Sequence, residues 1–167
     1  FRKHPGITLT PHLGASTEEA QEKCGIEVAE VITGYLLTGE VRNAVNLPYL
    51  DAKTYEQVKP YLILGEKLGK LLAQLAPPQV DRLHVTFGGK AQELPNIDPV
   101  PRAVVLGFLP RASVKDLNNV NVRSIAATLG LTVEEKRSNE PVTINEWLHV
   151  QAFNGSEKVI SAGGTFF

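Results

Sequence analysis

Apolar residues recur at helical spacing near the start of the chain. Ser16 and Glu19 have the spacing of a capping box, which predicts that a helix begins at Thr17. Gly39 is a suitable residue to end it. The helix is therefore predicted to be long, with one apolar face that needs a partner surface. That face is formed by Ala20, Cys24, Val28, Val31, Ile32 and Tyr35.

A leucine-rich pattern follows at residues 52–76. Asp51 is a candidate cap for a short helix at 52–58, and Pro60 suits the first turn of another helix. Leucines then keep helical spacing until the prolines at 77–78, which cannot continue the helix. We therefore expect two helices here, separated at Pro60.

The period of the apolar positions changes to two after Val80. Leu83, Val85 and Phe87 alternate with polar residues, which predicts a half-buried strand. Further on, the apolar spacing predicts two more helices and a strand. These helices cover residues 102–112 and 122–129, and the strand covers residues 131–136.

The end of the chain has the pattern of a β-hairpin. Residues 142–153 and 158–166 flank Asn154-Gly155, a strong turn signal. Strands grouped beside helices without strict alternation favour an α+β fold over a doubly wound sheet. We expect a long N-terminal helix arm followed by a helix-covered, largely antiparallel sheet of three or four strands.

Composition and charge narrow the class of protein. Hydrophobic residues make up 43% of the 167 residues, as in an ordinary globular domain. The net charge of −1 favours neither a nucleic acid nor a membrane surface as a partner. No apolar run approaches the roughly 20 residues that span a bilayer. Cys24 cannot form an internal disulfide, and we expect it to be a buried thiol in a cytoplasmic protein.

His12 is the residue best suited to carry chemistry. An unperturbed imidazole titrates near neutral pH, so His12 can give or take a proton there. Pro11 fixes the backbone before it, and the predicted helix follows directly. On spacing alone, a lone histidine in a loop is more often structural or at the surface than catalytic.

The residues around His12 favour a catalytic role for this histidine. Residues 10–17 read TPHLGAST, with EAQ at 19–21, and this segment resembles the last catalytic motif of D-2-hydroxy-acid dehydrogenases. Its form is that of the phosphoglycerate dehydrogenase members of the family. Later segments resemble those members in the same order, at 41–47, 119–122, 130–133 and 164–166. The resemblance implies that residues 1–45 end a catalytic core and that residues 46–167 form an intervening, effector-binding domain.

The resemblance also implies an activity and its residues. The parent reaction would be NAD-dependent oxidation of 3-phosphoglycerate to 3-phosphohydroxypyruvate, the first step of L-serine biosynthesis. His12 would be the acid/base, and His12, Leu13, Gly14 and Ala15 would line the cofactor site. The glycine-rich loop that holds the NAD pyrophosphate is missing. We expect a C-terminal piece of such an enzyme that binds NAD poorly and is inactive by itself.

Other interpretations stay open. A second interpretation is a stand-alone assembly or effector-binding module without a catalytic part. A third is a part of another D-2-hydroxy-acid dehydrogenase. Arg102, Arg111, Lys115 and Arg123 are candidates to gather around an anionic effector, although a solvated helix face is the more common explanation of such a set. The unpartnered apolar face of the first helix predicts either packing on residues 60–76 or a homo-oligomer.

Overall fold

The computed structural model describes residues 4–38, 41–45, 50, 52–112, 116–140 and 144–166. The chain divides into two compact units, Phe1–Asn43 and Ala44–Phe167. Gly39 and Asp51, predicted to end and to cap helices, lie outside the described residues.

The first unit contains helix α1, Glu18–Thr38. Its N-cap is Thr17, because Oγ1 of Thr17 accepts a hydrogen bond of 3.2 Å from the backbone N–H of Ala20. The predicted cap at Ser16 was therefore wrong by one residue. Serine and threonine are both suitable N-cap residues, so the sequence alone does not show which of two neighbours occupies the N-cap position. No residue of α1 is buried, and Cys24 is exposed. The prediction of a buried thiol was wrong because α1 is the only described element of its unit, which leaves nothing there to cover the helix face.

The second unit begins with helix α2, Ala52–Leu75, which runs through Pro60 without a break. The predicted division into two helices was wrong. A proline inside a helix removes one hydrogen bond and costs about 3 kcal/mol. Val58 and Tyr61, on either side of the proline, are both buried in the core, and their packing offsets this cost.

A four-stranded sheet forms the other layer, in the order β2-β1-β3-β4. β1 pairs antiparallel with β3, and β3 pairs antiparallel with β4, whereas β1 pairs parallel with β2. The predicted α+β fold with a largely antiparallel sheet is thus confirmed. The strands are β1 (Arg82–Gly89), β2 (Thr132–Ser138), β3 (Glu146–Asn154) and β4 (Glu157–Gly164).

The parallel pair requires a long crossover, and helices α3 (Pro99–Phe108) and α4 (Val122–Thr128) supply it. α3 begins three residues before the predicted range, because Pro99 and Pro101 both fall in its first turn, where no backbone N–H is needed. Short 3₁₀ turns follow β1 and α3, at Lys90–Glu93 and Leu109–Ala112.

The core lies between the helices and one face of the sheet. Alternate residues of β1 are buried there, and each faces a buried residue of β3 in register, as Val85 faces Val150. Leu72 of α2 and Val104 of α3 belong to the same cluster and are fully buried. The helices thus cover one sheet face, as predicted, and leave the other face for polar and aromatic side chains.

The β3–β4 hairpin closes at Gly155, as the turn signal predicted. Gly155 has a φ of 59°, which favours glycine. Asp81 and Arg82, at the start of β1, bind the backbone of this turn. Oδ2 of Asp81 accepts from the Gly155 N–H at 2.7 Å, and Nη2 of Arg82 donates to the Gly155 carbonyl at 2.8 Å.

Candidate functional site

The His12 segment lies in the first unit, just before α1. His12, Leu13, Gly14 and Ala15 are all exposed. A backbone hydrogen bond of 3.2 Å from Ser16 N to Leu13 O closes a turn after the histidine. No hydrogen bond or ion pair joins His12 to another residue of the described chain. The imidazole is therefore open to a substrate, but nothing in the described residues orients it.

These four residues do not by themselves fit a dinucleotide such as NAD. A Cβ placed on Gly14 would meet no atom within 4 Å, so the segment forms an open surface and not a cradle. The backbone there offers at most one wall of a cofactor site. The cofactor-binding role of these residues stays a prediction.

A charged cluster forms in the second unit, where α3, α4 and β2 meet. Asp98 accepts a hydrogen bond of 3.1 Å from Nε of Arg102 and another from Nη2 of Arg123. The same nitrogen of Arg123 lies 3.2 Å from Oε1 of Glu135. Partial burial raises the pKa of Glu135, and the charge of Arg123 acts against this increase.

Three of the four cations predicted to gather around an anion are described, and this cluster contains two of them. Arg102 and Arg123 come together, but Asp98 and Glu135 balance their charges. Arg111 lies elsewhere, with Nη2 donating to the carbonyl of Pro77. Lys115 lies outside the described residues. The cluster thus stabilises the crossover and has no spare positive charge for an effector.

Two histidines, His84 of β1 and His149 of β3, lie on the sheet face opposite the core. Nε2 of His84 is 2.7 Å from Oε2 of Glu134, and its ring stands 4.4 Å from that of Phe153. His149 is half-buried beside Trp147, at 6.4 Å between ring centroids. Burial, and then the charge of Lys158, lowers the pKa of His149. These histidines form a partly buried polar surface rather than a solvated one.

Comparison with known proteins decides the family. The family model for the D-3-phosphoglycerate dehydrogenase intervening domain matches residues 57–167. The chain belongs to this family. A D-3-phosphoglycerate dehydrogenase of Synechocystis is 40% identical over 152 residues, which cover 91% of the chain and 27% of that protein. The enzyme of Archaeoglobus fulgidus is 31% identical over 98% of the chain and 31% of its own length. The chloroplastic enzyme 3 of Arabidopsis thaliana is 35% identical over 95% of the chain and 28% of its own length.

The resemblance deduced from the motifs is thereby confirmed. The intervening domain corresponds to most of the second unit, from within α2 to the end of the chain. The chain spans less than a third of the length of these relatives. The assignment of residues 1–45 to a catalytic core and of 46–167 to an effector-binding domain stays a prediction.

Some contacts of this intervening domain could not be predicted from the sequence. The hydroxyl group of Tyr61 donates to Oε2 of Glu146, 85 positions away. The indole of Trp147 covers Gly88, where an added Cβ would lie 1.9 Å from Cε2 of the ring. No local signal in the sequence marks the partner of this tyrosine. Among the described residues there is no cluster of three metal-ligating side chains and no helix long and apolar enough to cross a membrane.

Proposed function

We propose that the chain is part of an NAD-dependent D-3-phosphoglycerate dehydrogenase. This enzyme oxidises 3-phosphoglycerate to 3-phosphohydroxypyruvate, the first step of L-serine biosynthesis. The observation that carries the proposal is the match to the intervening domain at residues 57–167 in the same chain as the histidine motif at residues 10–17.

His12 is the acid/base of this proposal and takes the proton of the substrate 2-hydroxyl group. Its exposure supports the role, because the ring is free to approach a substrate held by other parts of a longer protein. NAD would be the hydride acceptor, and Leu13, Gly14 and Ala15 would form one wall of its site. A positioned acid or base contributes about 10²–10⁴-fold to the rate.

The test is the variant His12→Ala in the longer dehydrogenase. We expect kcat for 3-phosphoglycerate oxidation to fall by about 10²–10⁴-fold, with little change in the dissociation constant for NAD. His4→Ala is the matched control, since His4 is also exposed in the same segment, and we expect it to retain full turnover. Undiminished turnover by His12→Ala would refute the acid/base role.

The chain by itself is proposed to be inactive and to bind NAD poorly. The open surface around Gly14 supports this, as does the lack of a hydrogen-bonded partner for His12 among the described residues. Catalysis by an oriented group depends on positioning that a free imidazole does not have. A hydride-transfer assay of the 167 residues with 3-phosphoglycerate and NAD should show no turnover above the blank.

The second unit is proposed to serve regulation or assembly, in a cytoplasmic homo-oligomer. The homo-oligomer is supported by the first unit and not by the second, since Ile26, Val28 and Ile32 of α1 are each more than half exposed. Light scattering of the longer enzyme should show an oligomer, and a monomer would contradict this part. The alternative, a non-catalytic module for an anionic effector, gains nothing from Arg102 and Arg123, whose charges are balanced.

A further inference from the structure

The hairpin turn between β3 and β4 contains the one Asn-Gly pair of the sequence, Asn154-Gly155. Both residues are exposed to solvent. An asparagine that precedes a glycine is open to deamidation, because glycine has no side chain to block the approach of its backbone nitrogen to the asparagine side chain. The pair is therefore a candidate site of chemical modification, separate from the residues of the dehydrogenase reaction.

Deamidation of this pair needs water and no other reactant. The backbone nitrogen of Gly155 forms a bond to Cγ of Asn154, the N–H proton leaves the nitrogen, and the side-chain amide departs as ammonia. Water then opens the resulting succinimide ring at one of its two carbonyl groups. The products are ammonia and either aspartate or isoaspartate at position 154.

The N–H group that this reaction must lose is directed at Asp81. Oδ2 of Asp81 accepts the hydrogen bond from the Gly155 N–H at 2.7 Å, a length typical of charge-assisted bonds. Ring closure replaces the hydrogen on this nitrogen with Cγ of Asn154, so the new bond has to form along the direction in which the hydrogen lies. A carboxylate oxygen of Asp81 occupies that direction, and the nitrogen is therefore not aligned for attack.

Asp81 is itself held in place by the sheet. Its N–H donates to the carbonyl of Phe153 at 3.0 Å, and its own carbonyl accepts from the N–H of Thr132 at 2.8 Å. The other side of Gly155 is also bound, because Nη2 of Arg82 donates to the Gly155 carbonyl oxygen at 2.8 Å. The glycine is therefore fixed on both sides, and its nitrogen can turn only after these bonds break.

We propose that Asn154 is a deamidation site whose reaction is suppressed in the folded chain by the carboxylate of Asp81. Asp81 is a positioning residue here, because it acts by holding the nitrogen of Gly155. A carboxylate is far too weak a base to remove a backbone amide proton, so its hydrogen bond protects the pair and does not activate it.

The protected bond matters for the hairpin. Asn154 pairs with Glu157 across the turn. Deamidation would place a new carboxylate at position 154, beside those of Glu157 and Asp81, and like charges that face each other across strands are destabilising. Isoaspartate would in addition lengthen the backbone by one methylene group at the end of β3. Both products would weaken the pairing of β3 with β4.

The test measures the deamidation rate of Asn154 in the 167-residue chain by peptide mapping with mass spectrometry. Asp81→Ala removes the acceptor, and the rate should rise by about tenfold or more, the equivalent of one charge-assisted hydrogen bond. The native chain in urea gives the rate of the unprotected pair, which should be higher than that of the folded native chain by at least the same factor. An unchanged rate in folded Asp81→Ala would overturn the proposal, and so would a slower rate, since the carboxylate would then assist the reaction.

Two controls separate the hydrogen bond from a general loss of stability. Val85→Ala shortens a buried side chain of β1 and leaves the turn intact, so its deamidation rate should stay at the native value. Thr132→Val removes the side-chain hydrogen bond of 3.2 Å to the Asp81 carbonyl but leaves the Asp81 carboxylate in place, and we expect no change there either. Acceleration in either control as large as in Asp81→Ala would contradict the proposal.

A second variant keeps the test decisive if circular dichroism shows that Asp81→Ala does not fold. Asp81→Glu retains the charge and displaces the carboxylate by one methylene group, so its rate should lie between those of the folded native chain and the chain in urea. A rate equal to that of the folded native chain would overturn the proposal.

Discussion

The hydroxyl group of Tyr61 on α2 donates a hydrogen bond to the carboxylate of Glu146, the first residue of β3. The tyrosine is only 4% exposed, and its ring meets that of Phe166 edge-on at 4.8 Å. This bond joins the helix layer to the sheet between residues 85 positions apart. Burial, and then the bond to Glu146, raises the pKa of Tyr61 above its ordinary value.

Replacing Tyr61 by Phe is expected to lower the free energy of unfolding by roughly 1–3 kcal/mol, because the Glu146 carboxylate loses its donor. Urea denaturation at pH 7 measures the change. Tyr55→Phe is the control on the same helix, where the tyrosine is half-buried and has Lys59 5.8 Å from its ring. A loss of stability as large in Tyr55→Phe would show that the Glu146 bond is not the cause.

The raised pKa of Tyr61 also predicts a dependence on alkaline pH. The folded state holds the phenol proton more tightly than the unfolded state, whose tyrosine titrates near pH 10. The stability that Tyr61 contributes is therefore complete below about pH 10 and is lost as the pH rises above it. Denaturation midpoints from pH 8 to 11 should fall more steeply for the native chain than for Tyr61→Phe.

Patterns within a short stretch of sequence predict the elements of this fold well. The turn at Gly155 follows from the Asn-Gly pair, and the strand at Val85 follows from alternation. Pro60 shows the limit of such rules: its local preference is to begin a helix, but the burial of Val58 and Tyr61 keeps one helix continuous. Where tertiary packing is worth more than the local cost of a residue, the packing determines the secondary structure.

Contacts between distant residues carry no such local pattern. Arg111 was grouped with Arg102 and Arg123 only because all three are positively charged. Nothing near Arg111 in the sequence indicates that its partner is the carbonyl of Pro77, 34 positions away. The motif around His12 was recognisable because its residues are contiguous. The groups that would orient His12 are not contiguous with it, so its role stays a prediction.

Close packing of α2 on α3 depends on the absence of a side chain at Gly69. A Cβ at this position would lie 2.0 Å from the carbonyl oxygen of Val104, a backbone atom that cannot move aside cheaply. We expect Gly69→Ala to lower the free energy of unfolding by about 1–3 kcal/mol or more. Gly65→Ala, one turn earlier, is the graded control, because its nearest contact would be 3.2 Å. Thermal denaturation should rank Gly69→Ala as clearly less stable than Gly65→Ala, and the reverse order would contradict this packing.

The two carboxylates of the charged cluster are expected to differ in importance. Asp98 accepts from both arginines, and the side chain of Arg102 is only 15% exposed. Asp98→Asn should therefore cost about 1–3 kcal/mol of unfolding free energy at pH 7, because a buried charge loses its counter-charge. Glu135→Gln should cost less, because Arg123 keeps Asp98. Urea denaturation of both variants checks this, and equal losses would contradict it.

The raised pKa of Glu135 predicts that its contribution to stability falls as the pH rises. The folded state favours the protonated acid, so the contribution of Glu135 is complete below its unfolded pKa, near 4.5. That contribution is lost as the pH rises through the higher folded pKa. Between pH 4 and pH 7, the free energy of unfolding should therefore decline less in Glu135→Gln than in the native chain. Each decline is taken relative to the value of the same protein at pH 4.

His149 predicts the opposite behaviour in mild acid. Burial, and then the charge of Lys158, lowers its pKa, so the folded state disfavours the imidazolium form. The contribution of His149 is complete above its unfolded pKa, near 6.5, and is lost as the pH falls through the lower folded pKa. The denaturation midpoint should drop between pH 7.5 and pH 5.5, and His149→Gln should reduce that drop. His12→Gln is the control, since His12 is exposed in the first unit. An equal reduction in both variants would mean that the effect does not come from the half-buried ring of His149.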